Sequence, residues 1–112
     1  MTASFLGMAL LSMIALAADI SGTWSATVDL GGQGGTATFN LQQKGDKLTG
    51  TYSGALGSAD VTGTVQGNKV EWSFTNDHAG KVTYTGTLEG SQIKGTCSYG
   101  EIGKGTFVAE KK

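Results

Sequence analysis

The sequence predicts an all-β protein, a small eight-stranded antiparallel up-and-down barrel, and three of its features lead to this prediction. From Ile20 onward, apolar and polar residues alternate with a period of two, which is the spacing of strands that bury one face. One unit, apolar-x-Gly-Thr-apolar, recurs along the chain. The 112 residues include 19 Gly and no Pro, so glycine alone is expected to make the bends.

Eight segments rich in Thr, Val, Tyr, Phe or Trp are predicted as strands. In chain order they span residues 20-30, 36-43, 47-53, 59-66, 69-75, 81-89, 92-99 and 103-110. The short connections at 44-46, 67-68, 90-91 and 100-101 each contain Gly, as hairpin turns of the II′ or bulged kind require. Sequential strands are therefore expected to lie side by side.

The repeated unit marks the strands rather than a solenoid repeat, because its glycines are separated by irregular distances of 9 to 28 residues. Alternation places the Gly of each copy on the apolar face, where a missing side chain lets a strand coil tightly or a neighbouring ring approach. The Thr of each copy faces the other side. Copies begin at Ile20, Leu48, Val61, Tyr84 and Ile93, with a weaker one at Gly103.

A sheet with one apolar face and no helices to cover it must close into a barrel or fold into two packed sheets. Closure is favoured because it removes strand edges, which this chain could not otherwise guard without Pro and with few edge charges. A two-sheet β-sandwich is the alternative. The interior of an eight-stranded barrel is either filled by side chains or holds one small ligand.

Residues 1-17 are predicted to be a signal peptide or an N-terminal anchor, and residues 18-112 a single β-barrel domain. The segment carries no charge, and Ala15-Leu16-Ala17 fits the small-x-small pattern of a cleavage site. About 18 apolar residues can also just span a bilayer, so an uncleaved anchor is the alternative. We expect a secreted or periplasmic protein that makes no membrane contact once the signal is cleaved.

Composition argues against several classes of function. Charged residues make up 15% of the chain, the net charge is -1, and Arg is absent, so nucleic acid is not an expected partner. The single Cys97 excludes an intramolecular disulfide and a Cys-rich zinc site, and it is expected to be a small buried hydrophobe. No charged residue points inward in any predicted strand. The sequence therefore predicts a non-enzymatic protein without a cofactor or metal.

A candidate site is predicted at one end of the barrel. In a meander the connections alternate between the two ends, so the longer loops at 31-35, 54-58 and 76-80 share one rim. Ligand-binding residues concentrate in such loops on rigid scaffolds. Asn76, Asp77 and His78 could seat a ligand or a weak metal there, although Asn and Asp also favour turns, and a lone His is commonly just solvated.

The inward-facing rings form a second set of candidate ligand contacts. Amphipathic rings facing a cavity can stack on a ligand and donate hydrogen bonds to it, and the alternative is that they simply fill the core. These candidates are Trp24, Tyr52, Trp72, Tyr84 and Tyr99.

Three stretches of the chain resemble the avidin and streptavidin family of secreted eight-stranded barrels. The resemblance implies that Tyr52 matches the tyrosine that the family places on the ureido oxygen of biotin, and that Trp24 and Trp72 match its pocket tryptophans. Gly54 stands where that family has a serine, and the last strand lacks the family's Asp, so the resemblance implies the barrel more directly than a biotin site. The stretches are Gly22-Thr23-Trp24, Leu48-Thr49-Gly50-Thr51-Tyr52 and Tyr84-Thr85-Gly86-Thr87.

The chain is also similar to small secreted bacterial β proteins with repeated Gly-Asp-Lys-Leu-Thr-Gly-Thr strands, and this resemblance implies no function. The leading hypothesis is an extracytoplasmic barrel that binds a small apolar or aromatic ligand at its loop-rich end, with a cavity near Tyr52, Trp72 and Tyr99. One alternative is a structural or self-assembling secreted or cell-surface protein with a solid core, which would form homo-oligomers. A weaker alternative is an enzyme centred on His78.

Overall fold

The computed structural model describes residues 19–112 and confirms the predicted fold: eight antiparallel strands in chain order form a closed barrel. The predicted signal peptide or anchor at 1-17 lies outside the described residues. Within residues 19–112 no helix is long and apolar enough to cross a membrane. The strands are β1 (Gly22–Asp29), β2 (Gly34–Lys44), β3 (Lys47–Gly54), β4 (Gly57–Gln66), β5 (Lys69–Asn76), β6 (Gly80–Glu89), β7 (Gln92–Tyr99) and β8 (Gly103–Lys111).

The barrel closes where β1 pairs with β8, from Trp24 opposite Lys111 to Asp29 opposite Thr106. The closed barrel rules out the alternative prediction of a two-sheet β-sandwich. The strands β2 and β4 each begin two residues before the predicted start, with Gly34 paired to Asp29 and Gly57 paired to Gly54. Ladder pairing uses only the backbone, so a strand continues through glycines that have no side-chain preference for it.

The interior is packed with rings, and every inward-facing aromatic predicted from the alternation is buried. Phe39 lies at the centre of the cluster. Its ring centroid lies 5.1 Å from that of Trp72 and 5.0 Å from that of Tyr84, both in edge-on geometry. Trp24 fills the interior nearer the chain termini, where its indole Nε1 donates to the Ile20 carbonyl at 2.8 Å. Most of the barrel is therefore a solid aromatic core.

Except for Gly22, which lies beside the Lys111 side chain, the glycines of the repeated unit lie where the backbone of a neighbouring strand approaches closely. In most copies the close neighbour is a carbonyl oxygen rather than a ring, so a side chain would collide with the backbone itself. At Gly86 the neighbours also include the Phe107 ring, whose Cζ would lie 3.0 Å from an added Cβ. The distances from an added Cβ to the nearest carbonyl oxygen are 1.9 Å at Gly50 (Asn40), 2.0 Å at Gly63 (Glu71), 1.9 Å at Gly95 (Thr85) and 1.8 Å at Gly105 (Asp29).

The two ends of the barrel differ in the length of their connections as predicted, except that the loop predicted at 54-58 is a two-residue turn at 55–56. One end carries the tight turns at 45–46, 67–68 and 90–91, where Gly45 has a φ of +62° that suits glycine. We call the other end the loop end. It carries residues 30–33, 55–56, 77–79 and 100–102.

Candidate functional site

The loop end holds a pocket of about 190 Å³ that reaches the buried rings of Tyr52 and Tyr99. We call it the rim pocket. Its walls come from the β1–β2 connection, the β3–β4 turn and the β7–β8 turn. The lining residues are Val28, Leu30, Gln33, Gly34, Gly35, Thr36, Tyr52, Ala55, Leu56, Tyr99 and Ile102.

Two other depressions lie on the outer surface of the barrel. One runs over Ser21–Thr23, residues 40–42 and 50–51, and the other over β6, β7 and β8 beside Cys97 and Lys104. Both are more open to solvent than the rim pocket. Since ligand sites are typically concave with apolar walls, the rim pocket is the stronger candidate.

The Tyr52 hydroxyl holds the β3–β4 turn against the pocket. Its Oη accepts a hydrogen bond from the backbone N–H of Leu56 at 3.3 Å. A Cβ on Gly54 would lie 2.6 Å from this oxygen, so the absence of a side chain at position 54 gives the Tyr52 ring its space. The turn thereby places Leu56 in the pocket wall.

Asn76 stabilises the β3–β4 turn through hydrogen bonds and does not line the pocket. Its Nδ2 donates to the Leu56 carbonyl at 2.9 Å, while its Oδ1 accepts from the backbone N–H groups of His78 at 2.7 Å and Ala79 at 3.3 Å. The side-chain amide is thus occupied in turn formation, which is the common structural use of Asn. Asp77 and His78 are exposed, and neither lines the rim pocket.

A backbone hydrogen bond joins two of the other connections at the loop end. The N–H of Glu101 donates to the Ala79 carbonyl at 3.0 Å, which ties the β5–β6 turn to the β7–β8 turn. The N–H of Ile102 donates to the Tyr99 carbonyl at 2.8 Å and sets Ile102 at the pocket mouth, where its side chain is 52% exposed. An exposed isoleucine beside an apolar opening enlarges the apolar contact area available to a ligand.

Tyr84 and Tyr99 form a buried hydroxyl pair behind the rim pocket. Their two oxygens are hydrogen-bonded to each other, and Tyr99 lines the pocket whereas Tyr84 is fully enclosed. Trp72 stacks on Tyr84 at 5.5 Å and does not line the pocket. Its indole Nε1 is a buried side-chain polar atom without a hydrogen-bond partner in the part of the chain that the structure describes.

The structure therefore brings together two of the predicted candidates, Tyr52 and Tyr99, in one pocket. It places Trp24, Trp72 and Tyr84 in the core.

Sequence reasoning missed most of the pocket wall. The missed residues include Leu30, Leu56 and Ile102, which interrupt otherwise small or polar connections. Apolar side chains within those loops were a signal that could have located the wall.

Cys97 behaves as a buried apolar residue. Burial raises the pKa of its thiol, and the backbone hydrogen bond from Gly105 only partly offsets this, so it stays protonated at neutral pH. Its Sγ–H points to the Thr106 carbonyl at 3.9 Å. Among residues 19–112, no group of three or more His, Cys, Asp or Glu side chains is arranged to hold a metal ion.

The tyrosine pair predicts a loss of stability in alkali. Burial is the main cause that raises the pKa of Tyr99 to about 12, and burial together with the hydrogen bond to Tyr99 raises the pKa of Tyr84 further above its ordinary value of 10.0. Below pH 10 both are neutral in the folded and the unfolded chain. Above pH 10 the unfolded chain releases its protons first, so each tyrosine lowers the free energy of unfolding by about 1.4 kcal/mol per pH unit.

The loss of stability caused by Tyr99 should extend to about pH 12, where Tyr99 begins to ionise in the folded protein. Urea unfolding followed by tryptophan fluorescence between pH 9 and pH 12 measures it. Tyr99→Phe should show a shallower decline, because one titrating group is removed. A stability that stays constant across this range would contradict the prediction.

A comparison of the chain with protein-family models and with curated protein sequences found no match.

Proposed function

We propose that this protein binds a small apolar or aromatic molecule in the rim pocket and does not catalyse a reaction. The observation that carries the proposal is a pocket of about 190 Å³ with mainly apolar walls that reaches the buried rings of Tyr52 and Tyr99. Apolar clefts with a few polar groups are the usual form of small-molecule sites. The uncharged segment at 1-17 supports a location outside the cytoplasm, in the periplasm or the medium.

The size of the pocket limits the ligand. An apolar cavity of about 150 Å³ takes up benzene, whereas sites for drug-sized molecules measure roughly 300 to 1,000 Å³. At about 190 Å³, the rim pocket suits a single ring with a short substituent. Binding of such a small molecule is expected with a Kd of about 1 mM or tighter.

Filling the pocket should weaken ligand binding. Gly35 faces inward in register with Ala37 and Phe39, lines the pocket, and has no atom within 4 Å of an added Cβ. Gly35→Leu therefore directs a side chain into the free space, and we expect it to weaken the binding of ethylbenzene or acetophenone at least roughly tenfold while the protein stays folded.

Amide chemical-shift titration measures this binding and locates it on the chain. Thr38→Leu is the matched control, because Thr38 lies on the same strand but faces outward and does not line the pocket. It should bind both probes as the unchanged protein does. Equal binding by Gly35→Leu and the unchanged protein, or shifts confined to residues away from the loop end, would contradict the proposal.

The solid core favours a second candidate, a structural or self-assembling protein. Apart from the rim pocket the interior is filled with rings, and the outer face presents rows of Thr and Ser, such as Thr83 between Ser73 and Ser98. Failure of every ring-sized probe to bind, together with concentration-dependent association in light scattering, would favour this candidate over ligand binding.

A further inference from the structure

The rim pocket lacks charge. Among residues 19–112, the side chains that line it carry no charge. Besides the hydroxyls of Tyr52 and Tyr99, its polar side chains are those of Gln33 and Thr36, which are exposed at its mouth. A charged ligand would lose hydration there without gaining a counter-charge, which is strongly unfavourable. The pocket is therefore suited to a neutral molecule.

The buried hydroxyl pair has one favourable direction of hydrogen bonding. Tyr84 is fully enclosed, and within the described residues its hydroxyl has Tyr99 as its hydrogen-bond partner. If Tyr99 donated to Tyr84, the Tyr84 proton would be buried without an acceptor, which proteins avoid. Donation from Tyr84 to Tyr99 gives the Tyr84 proton an acceptor and leaves the Tyr99 proton free to donate to a ligand.

Tyr99 remains a donor over the physiological range. Burial raises its pKa to about 12, so the hydroxyl keeps its proton at neutral pH. The Tyr52 hydroxyl accepts a hydrogen bond from the backbone N–H of Leu56 at 3.3 Å, so it also keeps a proton, but its partner belongs to a half-buried turn. Tyr99 is the phenol of the pocket whose hydroxyl is oriented by a fully buried side chain, that of Tyr84.

We propose that the rim pocket selects a neutral, ring-sized molecule carrying a hydrogen-bond acceptor, such as a carbonyl oxygen, and that Tyr99 donates to this acceptor while Tyr84 orients the Tyr99 hydroxyl. This inference rests on the proposed function and adds the chemical class of the ligand. An acceptor is preferred because a purely apolar ligand would displace water from Tyr99 without replacing its hydrogen bond. Tyr84 is a positioning residue that acts through Tyr99.

Three probes of similar size separate the two proposals. Acetophenone carries a carbonyl on a ring, ethylbenzene lacks the acceptor, and benzoate carries a charge. We expect acetophenone to bind roughly 3- to 10-fold more tightly than ethylbenzene, the value of one neutral hydrogen bond, and benzoate to bind more weakly than either. If both neutral probes bind in the pocket with equal affinity, this inference is overturned while the proposed function stands. If neither binds, the proposed function itself fails.

Two phenylalanine variants test the assigned donor. Tyr99→Phe should remove most of the preference for acetophenone over ethylbenzene, because the donor hydroxyl is lost. Tyr84→Phe should reduce the preference less, since Tyr99 keeps its proton. A preference that survives Tyr99→Phe in full overturns the assignment. The comparison of probes on the unchanged protein provides a test that does not depend on either variant folding.

Discussion

Replacing Gly95 with alanine is expected to lower the free energy of unfolding by about 3 kcal/mol or more, the upper end of the cost of overfilling a packed interior. A Cβ on Gly95 would lie 1.9 Å from the Thr85 carbonyl oxygen and 2.5 Å from the Gly86 Cα. These are backbone atoms of the paired strand β6, so no side chain can rotate away. The strands would have to separate at the Gly86–Gly95 pair.

Gly35→Ala is the matched control for this prediction, because an added Cβ there has no atom within 4 Å. We expect its stability to stay within about 0.5 kcal/mol of the unchanged protein. Urea unfolding of both variants, followed by tryptophan fluorescence, measures the difference. Similar losses of stability in the Gly95 and Gly35 variants would show that the close approach of the β6 backbone does not restrict the size of the side chain at position 95.

Truncating Phe39 is expected to cause the other large loss, about 3–5 kcal/mol for Phe39→Ala. The Phe39 ring contacts four other rings at centroid distances of 5.0 to 6.3 Å and is completely buried. Removing it leaves a cavity among rings that are held by their own strands and cannot collapse fully into the space. For a domain of this size, the Tm should fall by at least roughly 12 °C.

Val108→Ala is the control, because Val108 is on the outer face and 38% exposed. Its effect should be below about 1 kcal/mol, since truncation of a side chain on the outer face leaves no buried cavity. Thermal unfolding of the two variants side by side measures the contrast. A Phe39→Ala protein as stable as Val108→Ala would mean that the ring cluster does not hold the barrel together.

The strands and their order were predictable because their signals are local. Alternation identified which residues face inward, and Gly in short connections identified tight turns such as the one at Gly45. The strand starts at Gly34 and Gly57 were missed by two residues, because pairing there depends on the partner strand and glycine carries no strand preference of its own. Closure through β1 and β8 followed from the need to remove edges.

The candidate site was only partly predictable. Alternation placed Tyr52, Tyr84 and Tyr99 on the inner face, but it carries no information about which ring lies deep and which meets the rim pocket. Asn76 was a candidate ligand contact, and in the structure its amide braces the Leu56 turn. Contacts of this kind join residues about 20 positions apart, so they depend on how neighbouring strands and turns are packed.

The amino-acid sequence by itself determined eight strands, their inner and outer faces, the inward position of the aromatic rings of the strands and the end of the barrel that carries the longer loops. The tertiary structure decided which glycines lie against a carbonyl oxygen of a neighbouring strand and which apolar loop residues line the rim pocket. It also brought the Tyr84 and Tyr99 hydroxyls within hydrogen-bond distance of each other. The physical reason is that alternation is read along one strand, whereas depth in the barrel is set by the register between strands.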